Sequence, residues 1–197
     1  MRFHSLSYQL AIELGSCIDT GTNGDDINRK PYPNVVFRIV LIVLIIIINI
    51  GCDQVSKKIV RHTIGPYQTI SVLNDHLTVS HAENPGAFLS MGDSLPKTAK
   101  NILLSLLPLM MLSFVFYYIV TKHSLSRPML VGFSFIIGGG IGNVFDRIVY
   151  GSVTDFLHIK FGIFQTGIFN LADLSIVTGT LILLLNFILK KKKPVTA

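Results

Sequence analysis

Residues 35–52 read VVFRIVLIVLIIIINIGC, and from Ile39 to Ile48 ten positions pass without a polar side chain. A helix crossing the hydrocarbon core of a bilayer needs roughly 17 to 25 mostly apolar residues. This stretch meets that length with Arg38 as its single charge. A β-branched run could also suit a buried parallel strand. Strands of this length are rare, however, and no rhythm of alternating polar helices accompanies it.

Three further windows extend the pattern. Ile102 to Val120 carries no charge, Met129 to Phe145 is rich in glycine, and Ile168 to Leu189 holds Asp173 as its only charge. Pro108 would kink a soluble helix, but neighbouring helices can absorb it in a membrane. The expected fold is therefore all-α and integral to the membrane, with spans at about 35–52, 102–120, 129–145 and 168–189.

Composition agrees. Half of the 197 residues are hydrophobic and only 14% are charged, whereas soluble domains carry about 25% charged residues. Disorder requires the opposite balance. Two cysteines, Cys17 and Cys52, do not make a disulfide scaffold. The net charge of +6 could suggest nucleic acid, yet basic residues are scarce on any soluble face, so no nucleic-acid partner is expected.

The basic residues instead report orientation. Arg2, Arg29, Lys30, Arg38, Lys122, Arg127 and Lys190 to Lys193 fall on one side of the spans. Lys57, Lys58, Arg61, Lys97, Lys100, Arg147 and Lys160 fall on the other. Ten against seven, with four lysines abutting span four, puts both termini in the cytoplasm. The two longer connections then face outward. Tyr67 to Ser80 and Thr154 to Phe169 mix β-branched and alternating residues, which suits short strand ribbons on the outer membrane surface.

Residues 1–34 never reach spanning hydrophobicity and contain Asp19, Asp25, Asp26, Pro31 and Pro33. Leu14-Gly-Ser-Cys17 resembles a lipoprotein-processing box, but the apolar stretch before it is short and interrupted by Glu13. The expectation is a disordered cytoplasmic extension at 1–34, a membrane domain at 35–190 and a basic tail at 191–197.

Chemistry in such a chain is sought among ionisable groups near the spans, where placing them is unfavourable without a reason. Asp53 and Lys57 stand four apart at the end of span one, an arrangement that an interfacial ion pair would explain. Asn84-Pro-Gly86 is ordinary turn chemistry. Gly138 and Gly142 permit close helix approach, with Asn143, Asp146 and Arg147 following. An arginine–aspartate tie accounts for Asp146. Asn170 can cap span four, and Asp173 in its first turn complements the helix dipole. Neither explanation covers Asp155 together with Asp173. Two carboxyl groups about 3 Å apart share a proton, so one can act as base and the other as acid. That is aspartic peptidase chemistry. His62, His76, His81, His123 and His158 are scattered, without metal-ligand spacing, and no metal or other cofactor is expected.

At these residues the sequence closely resembles signal peptidase II, the bacterial lipoprotein signal peptidase, over about residues 36 to 190. The resemblance rests on DQ-x-x-K from Asp53 to Lys57, N-x-G-A from Asn84 to Ala87, GG-x-x-GN-x-x-DR ending at Arg147, V-x-D-F at Asp155 and FN-x-AD at Asp173. It implies a membrane aspartic peptidase that cleaves prolipoproteins before their diacylglyceryl cysteine. By the same resemblance Asp155 and Asp173 are the catalytic pair. Asn143, Arg147, Asn170, Asp53, Lys57, Asn84 and Gly86 bind substrate or support the pair. The partners implied are lipidated prolipoproteins and membrane phospholipid, and the chain is expected to be a monomer in the inner (cytoplasmic) membrane, with its active site at the extracytoplasmic face. One departure is visible: the loop reads NPGAFLS, where the commoner family form has a second small residue before the aromatic. A transporter could employ the same acids, and a non-catalytic membrane assembly factor could use the glycine-rich span as a docking face. A translocation site is expected near the midplane, however, and these acids gather at one face.

Overall fold

The computed structural model describes residues 35–65, 68–74, 76–86 and 94–191. The extension at 1–34, residues 87–90 of the loop motif and Lys192 and Lys193 lie outside them.

Four helices carry the apolar windows: α1 (Val35–Thr63), α2 (Lys97–Thr121), α3 (Arg127–Tyr150) and α4 (Leu171–Lys191). All four are long and apolar enough to cross a membrane. Half of the most apolar window of α3 is buried, against 11–17% in the others, so α3 is the central helix. The residues that make this possible are glycines on two of its faces. A Cβ on Gly142 would lie 2.7 Å from Asp53 Oδ2 of α1, and one on Gly132 would lie 2.9 Å from the Gly179 carbonyl of α4. The other helices turn Val36, Ile47, Phe114 and Phe187 outward, as lipid-facing surfaces require.

The first helix runs eleven residues beyond the expected end at Cys52. Its buried side chains, Arg38, Ile42, Ile46, Asn49, Asp53, Lys57 and Val60, recur at three- and four-residue steps. The stripe therefore continues past the apolar run as a polar one. At about 1.5 Å per residue α1 spans about 43 Å, well over a hydrocarbon core of about 30 Å. In α2 a π-helical stretch at Asn101–Leu106 precedes Pro108, which cannot donate to the helix ladder.

The two longer connections form one sheet rather than two ribbons. Strands β1 (Thr69–Val72), β2 (Leu77–Asn84), β3 (Val153–Phe161) and β4 (Phe164–Gln165) are ordered 1-2-3-4 and wholly antiparallel. A lone hairpin is marginal in water, and pairing β2 with β3 joins both hairpins. The register sets Glu83 opposite Thr154 and Ala82 opposite Asp155, with a bulge between Val79 and Ala82. Phe156 packs on Val60 and Ile64, which seats the sheet at the C-terminal end of α1. At the opposite end Arg38 donates to the carbonyls of Ile119, Lys122 and His123, closing the C-terminus of α2. Ser126, before α3, meets Asn186 of α4 at the same end at 3.4 Å.

Candidate active site

The polar stripe of α1 enters a closed ion network. Lys57 Nζ lies 2.7 Å from Asp53 Oδ2 and 2.9 Å from Asp146 Oδ2, and all three side chains are fully buried. Asp53 and Lys57 thus form the expected i, i+4 pair, but inside the bundle rather than at an interface. Gln54 donates to both Asp53 Oδ2 and Asp146 Oδ1 at 3.1 Å. A charge this deep requires pairing and further hydrogen bonds to be tolerated, and both are present. The arginine tied to Asp146 is Arg61, at 3.3 Å, not its neighbour in sequence. Consecutive residues point about 100° apart on a helix, so Asp146 faces α1 while Arg147 turns elsewhere. Arg147 donates to the Gly86 carbonyl at 3.1 Å.

From Lys57 the network passes to the two acids. Lys57 Nζ donates to Asn143 Oδ1 at 3.1 Å, and Asn143 Nδ2 donates to Asp173 Oδ1 at 2.8 Å. Asn170 and Asp173 cap α4 reciprocally. The Asp173 N–H donates to Asn170 Oδ1 at 2.9 Å, and the Asn170 N–H donates to Asp173 Oδ2 at 3.2 Å. The capping role foreseen for Asn170 is therefore real, and it leaves the Asn170 amide available to others. That amide donates to Asp155 Oδ1 at 2.6 Å and to Asn143 Oδ1 at 3.2 Å. Asn84 Nδ2 reaches Asp155 Oδ2 at 3.1 Å from β2, and Asn84 Oδ1 accepts the Gly86 N–H at 3.1 Å. Asp53 Oδ1 accepts the Ala172 N–H at 2.9 Å, satisfying a donor that the start of α4 would otherwise leave unpaired.

All nine residues singled out in the sequence thus meet in one place. Asp155 is buried, while Asp173 is partly open. Burial pushes the Asp155 carboxyl up to about 6, and the nearby Asp173 charge adds to this. Hydrogen bonds from Asn84 and Asn170 and the charge of Lys57 oppose it. A carboxyl that holds its proton toward neutrality beside a second, more open one can serve as one half of an acid–base pair.

Sequence reading missed Arg61, Glu83 and Thr154. Arg61 Nε donates to Thr154 Oγ1, and Thr154 Oγ1 donates to Glu83 Oε1, each at 2.7 Å. One signal was available. Asp53, Lys57 and Arg61 stand at i, i+4 and i+8 on one helix face. The partners on the strands carry no local mark, because their pairing is set by a register across 71 residues.

Comparison with known proteins bears on family and fold. The family model for signal peptidase (SPase) II matches residues 42–189. The lipoprotein signal peptidase of Clostridium novyi is 33% identical over 152 residues, covering 77% of this chain and 99% of that protein. The lipoprotein signal peptidase of Wigglesworthia glossinidia brevipalpis is 34% identical over 145 residues, 73% of this chain and 91% of that one. Among solved structures, a bacterial membrane enzyme determined by the in meso method at 2.3 Å resolution has the same fold, with a TM-score of 0.71 at 24% identity over 81% of this chain and 94% of that one.

Proposed function

This chain belongs to the signal peptidase II family, and we propose that Asp155 and Asp173 are the aspartate pair with which it removes signal peptides from prolipoproteins. As a protease of that family it acts on lipoprotein substrates in a membrane. The observation that carries the assignment is Asn170, which bonds Asp155 through its amide and Asp173 through its carbonyl oxygen and N–H. One asparagine thus sets the separation of two carboxyl groups drawn from different elements.

With one proton shared between them, the ionised carboxylate takes a proton from a water as that water attacks the scissile carbonyl. The protonated partner gives its proton to the carbonyl oxygen. Collapse of the tetrahedral species then breaks the C–N bond, and a proton passes to the leaving amine. The protonation states are those of the pair rather than of either residue. Arg147 lies within electrostatic reach of both acids and is partly exposed, so it is suited to hold a substrate carbonyl. The scissile bond is the one before the diacylglyceryl cysteine. A substrate lipidated there keeps its acyl chains in the bilayer while the peptide reaches the end of the bundle, and positioning does much of the work.

The acids and the sheet then lie at the extracytoplasmic face and both termini in the cytoplasm, in the inner membrane. The charge bias supports this more strongly once burial is counted. Lys57 is consumed by the ion network, and Arg61 and Arg147 by tertiary contacts. Leaving these three out, and Arg38 on the cytoplasmic side with its own carbonyl contacts, turns ten against seven into nine against four. Residues 35–190 constitute the peptidase domain, acting as a monomer surrounded by phospholipid. Incubating the purified protein with a lipidated precursor peptide tests the reading. A product beginning at the modified cysteine supports it, and uptake into liposomes without product contradicts it.

A further inference from the structure

Thr154 precedes Asp155 and its side chain is fully buried, with one hydroxyl group shared between two charged partners. It accepts from Arg61 Nε and donates to Glu83 Oε1. Glu83 also takes the Ser152 hydroxyl on its other oxygen at 2.5 Å. Adjacent residues of a strand point to opposite faces. Glu83 therefore grips Thr154 from one face of the sheet, while Asn84 grips Asp155 from the other.

Arg61 ties this grip to the helices. Its guanidinium reaches Asp146 at 3.3 Å and lies 3.8 Å over the Tyr150 ring. Asp146 continues through Lys57 and Asn143 to Asp173. A second polar route thus runs from Asp173 to the residue beside Asp155 without passing through Asn170. Its last links, from Arg61 through Thr154 to Glu83, join a helix to strands rather than helix to helix. It is suited to fixing a strand relative to a helix end.

We propose that Arg61, Thr154 and Glu83 are positioning residues that hold the Asp155 strand in working register with Asp173. The proposal rests on Asp155 and Asp173 being the catalytic pair. None of the three touches the reacting atoms. They act through Asp155, which is faced by Asn84 from β2, Asn170 from the cap of α4, Asp173 from α4, Lys57 from α1 and Arg147 from α3. A displacement of about 1 Å at a reacting group can lower a rate about 10²-fold.

The test is the pH dependence of cleavage of a lipidated prolipoprotein peptide by Thr154→Val, Thr154→Ser and Glu83→Gln, with thermal unfolding measured alongside. Thr154→Val keeps the side-chain shape and removes the hydroxyl. It is expected to lower kcat about tenfold or more with KM within about twofold, the signature of lost transition-state positioning. The alkaline limb of its rate profile moves to lower pH as the loosened strand admits water to Asp155. Thr154→Ser restores both, and Glu83→Gln moves both in the same direction as Thr154→Val. A folded Thr154→Val with unchanged kcat and an unmoved limb overturns the proposal, as does a serine variant that fails to rescue. Should Thr154→Val not fold, Glu83→Gln decides, because Glu83 is 42% exposed and its substitution spares the core. An unmoved profile there overturns the proposal too. Asp155→Asn in the same assay separates the two claims. Near-normal cleavage by it removes the catalytic pair itself, whereas its inactivity beside an unaffected Thr154→Val removes only the positioning role.

Discussion

Asn170 donates its side-chain amide to Asp155 Oδ1 at 2.6 Å from the residue that caps α4. One side chain therefore does two separable things: its oxygen starts the helix, and its nitrogen holds the neighbouring strand's carboxylate.

Asn170→Ser separates them. Serine caps a helix about as well as asparagine, whereas alanine at a cap is less stable by about 1 kcal/mol. Serine cannot reach Asp155. Asn170→Ser should unfold thermally close to the parent, yet its kcat should fall about 10²-fold from lost alignment. Recovery of activity along with stability would reduce Asn170 to a cap.

Lys57→Met tests the ion network. It leaves Asp53 and Asp146 buried without the charge between them, a type of loss that destabilises by about 3–5 kcal/mol. Lys58→Met, on the exposed side of the same helix, should stay within about 0.5 kcal/mol. Denaturation in matched detergent compares the two. Equal stabilities would mean that the buried charges find other partners.

Gly142→Ala should lower both stability and activity, since its Cβ would sit 2.7 Å from Asp53 Oδ2 and push α1 from α3. Gly51→Ala meets nothing within 4 Å. It should be neutral or stabilising by at most about 1 kcal/mol, because alanine restricts the unfolded chain. Parallel unfolding and cleavage measurements on the two variants check this contrast.

These contrasts follow the boundary between what the sequence discloses and what it does not. Four spans are legible because lipid demands about twenty apolar residues from each. Their ends are less so. The α1 helix continues to Thr63 because Asp53, Lys57 and Val60 extend its buried stripe in polar form, which a hydropathy window cannot register. Asp155 stood out because a charge-poor chain placed it beside a span without a simple local partner, and Asp173 because its place in a helix's first turn did not account for the two acids together. Their bridge through Asn170 was hidden behind an ordinary capping pattern. Glu83 and Thr154 escaped notice because only the β2–β3 register brings them together, and Arg61 because it lies past the expected end of the first span.

Asp155 also leaves a mark on stability. Its carboxyl, raised from 3.8 to about 6 by burial, binds a proton in the folded state that the unfolded chain releases earlier. Between about pH 4 and 6 the folded state holds more protons, so stability falls as pH rises through that window. At about 1.36 kcal/mol per unit the loss is on the order of 2–3 kcal/mol. Asp155→Asn, which cannot ionise, should lack this decline. Parallel declines in parent and variant would assign it to other groups.

The central claim is tested most directly by incubating Asp155→Asn and Asp173→Asn, each in folded form, with a lipidated prolipoprotein and following release of the signal peptide. Both variants are expected to fold and to release no measurable product. Near-normal release by either one would contradict the assignment of the pair.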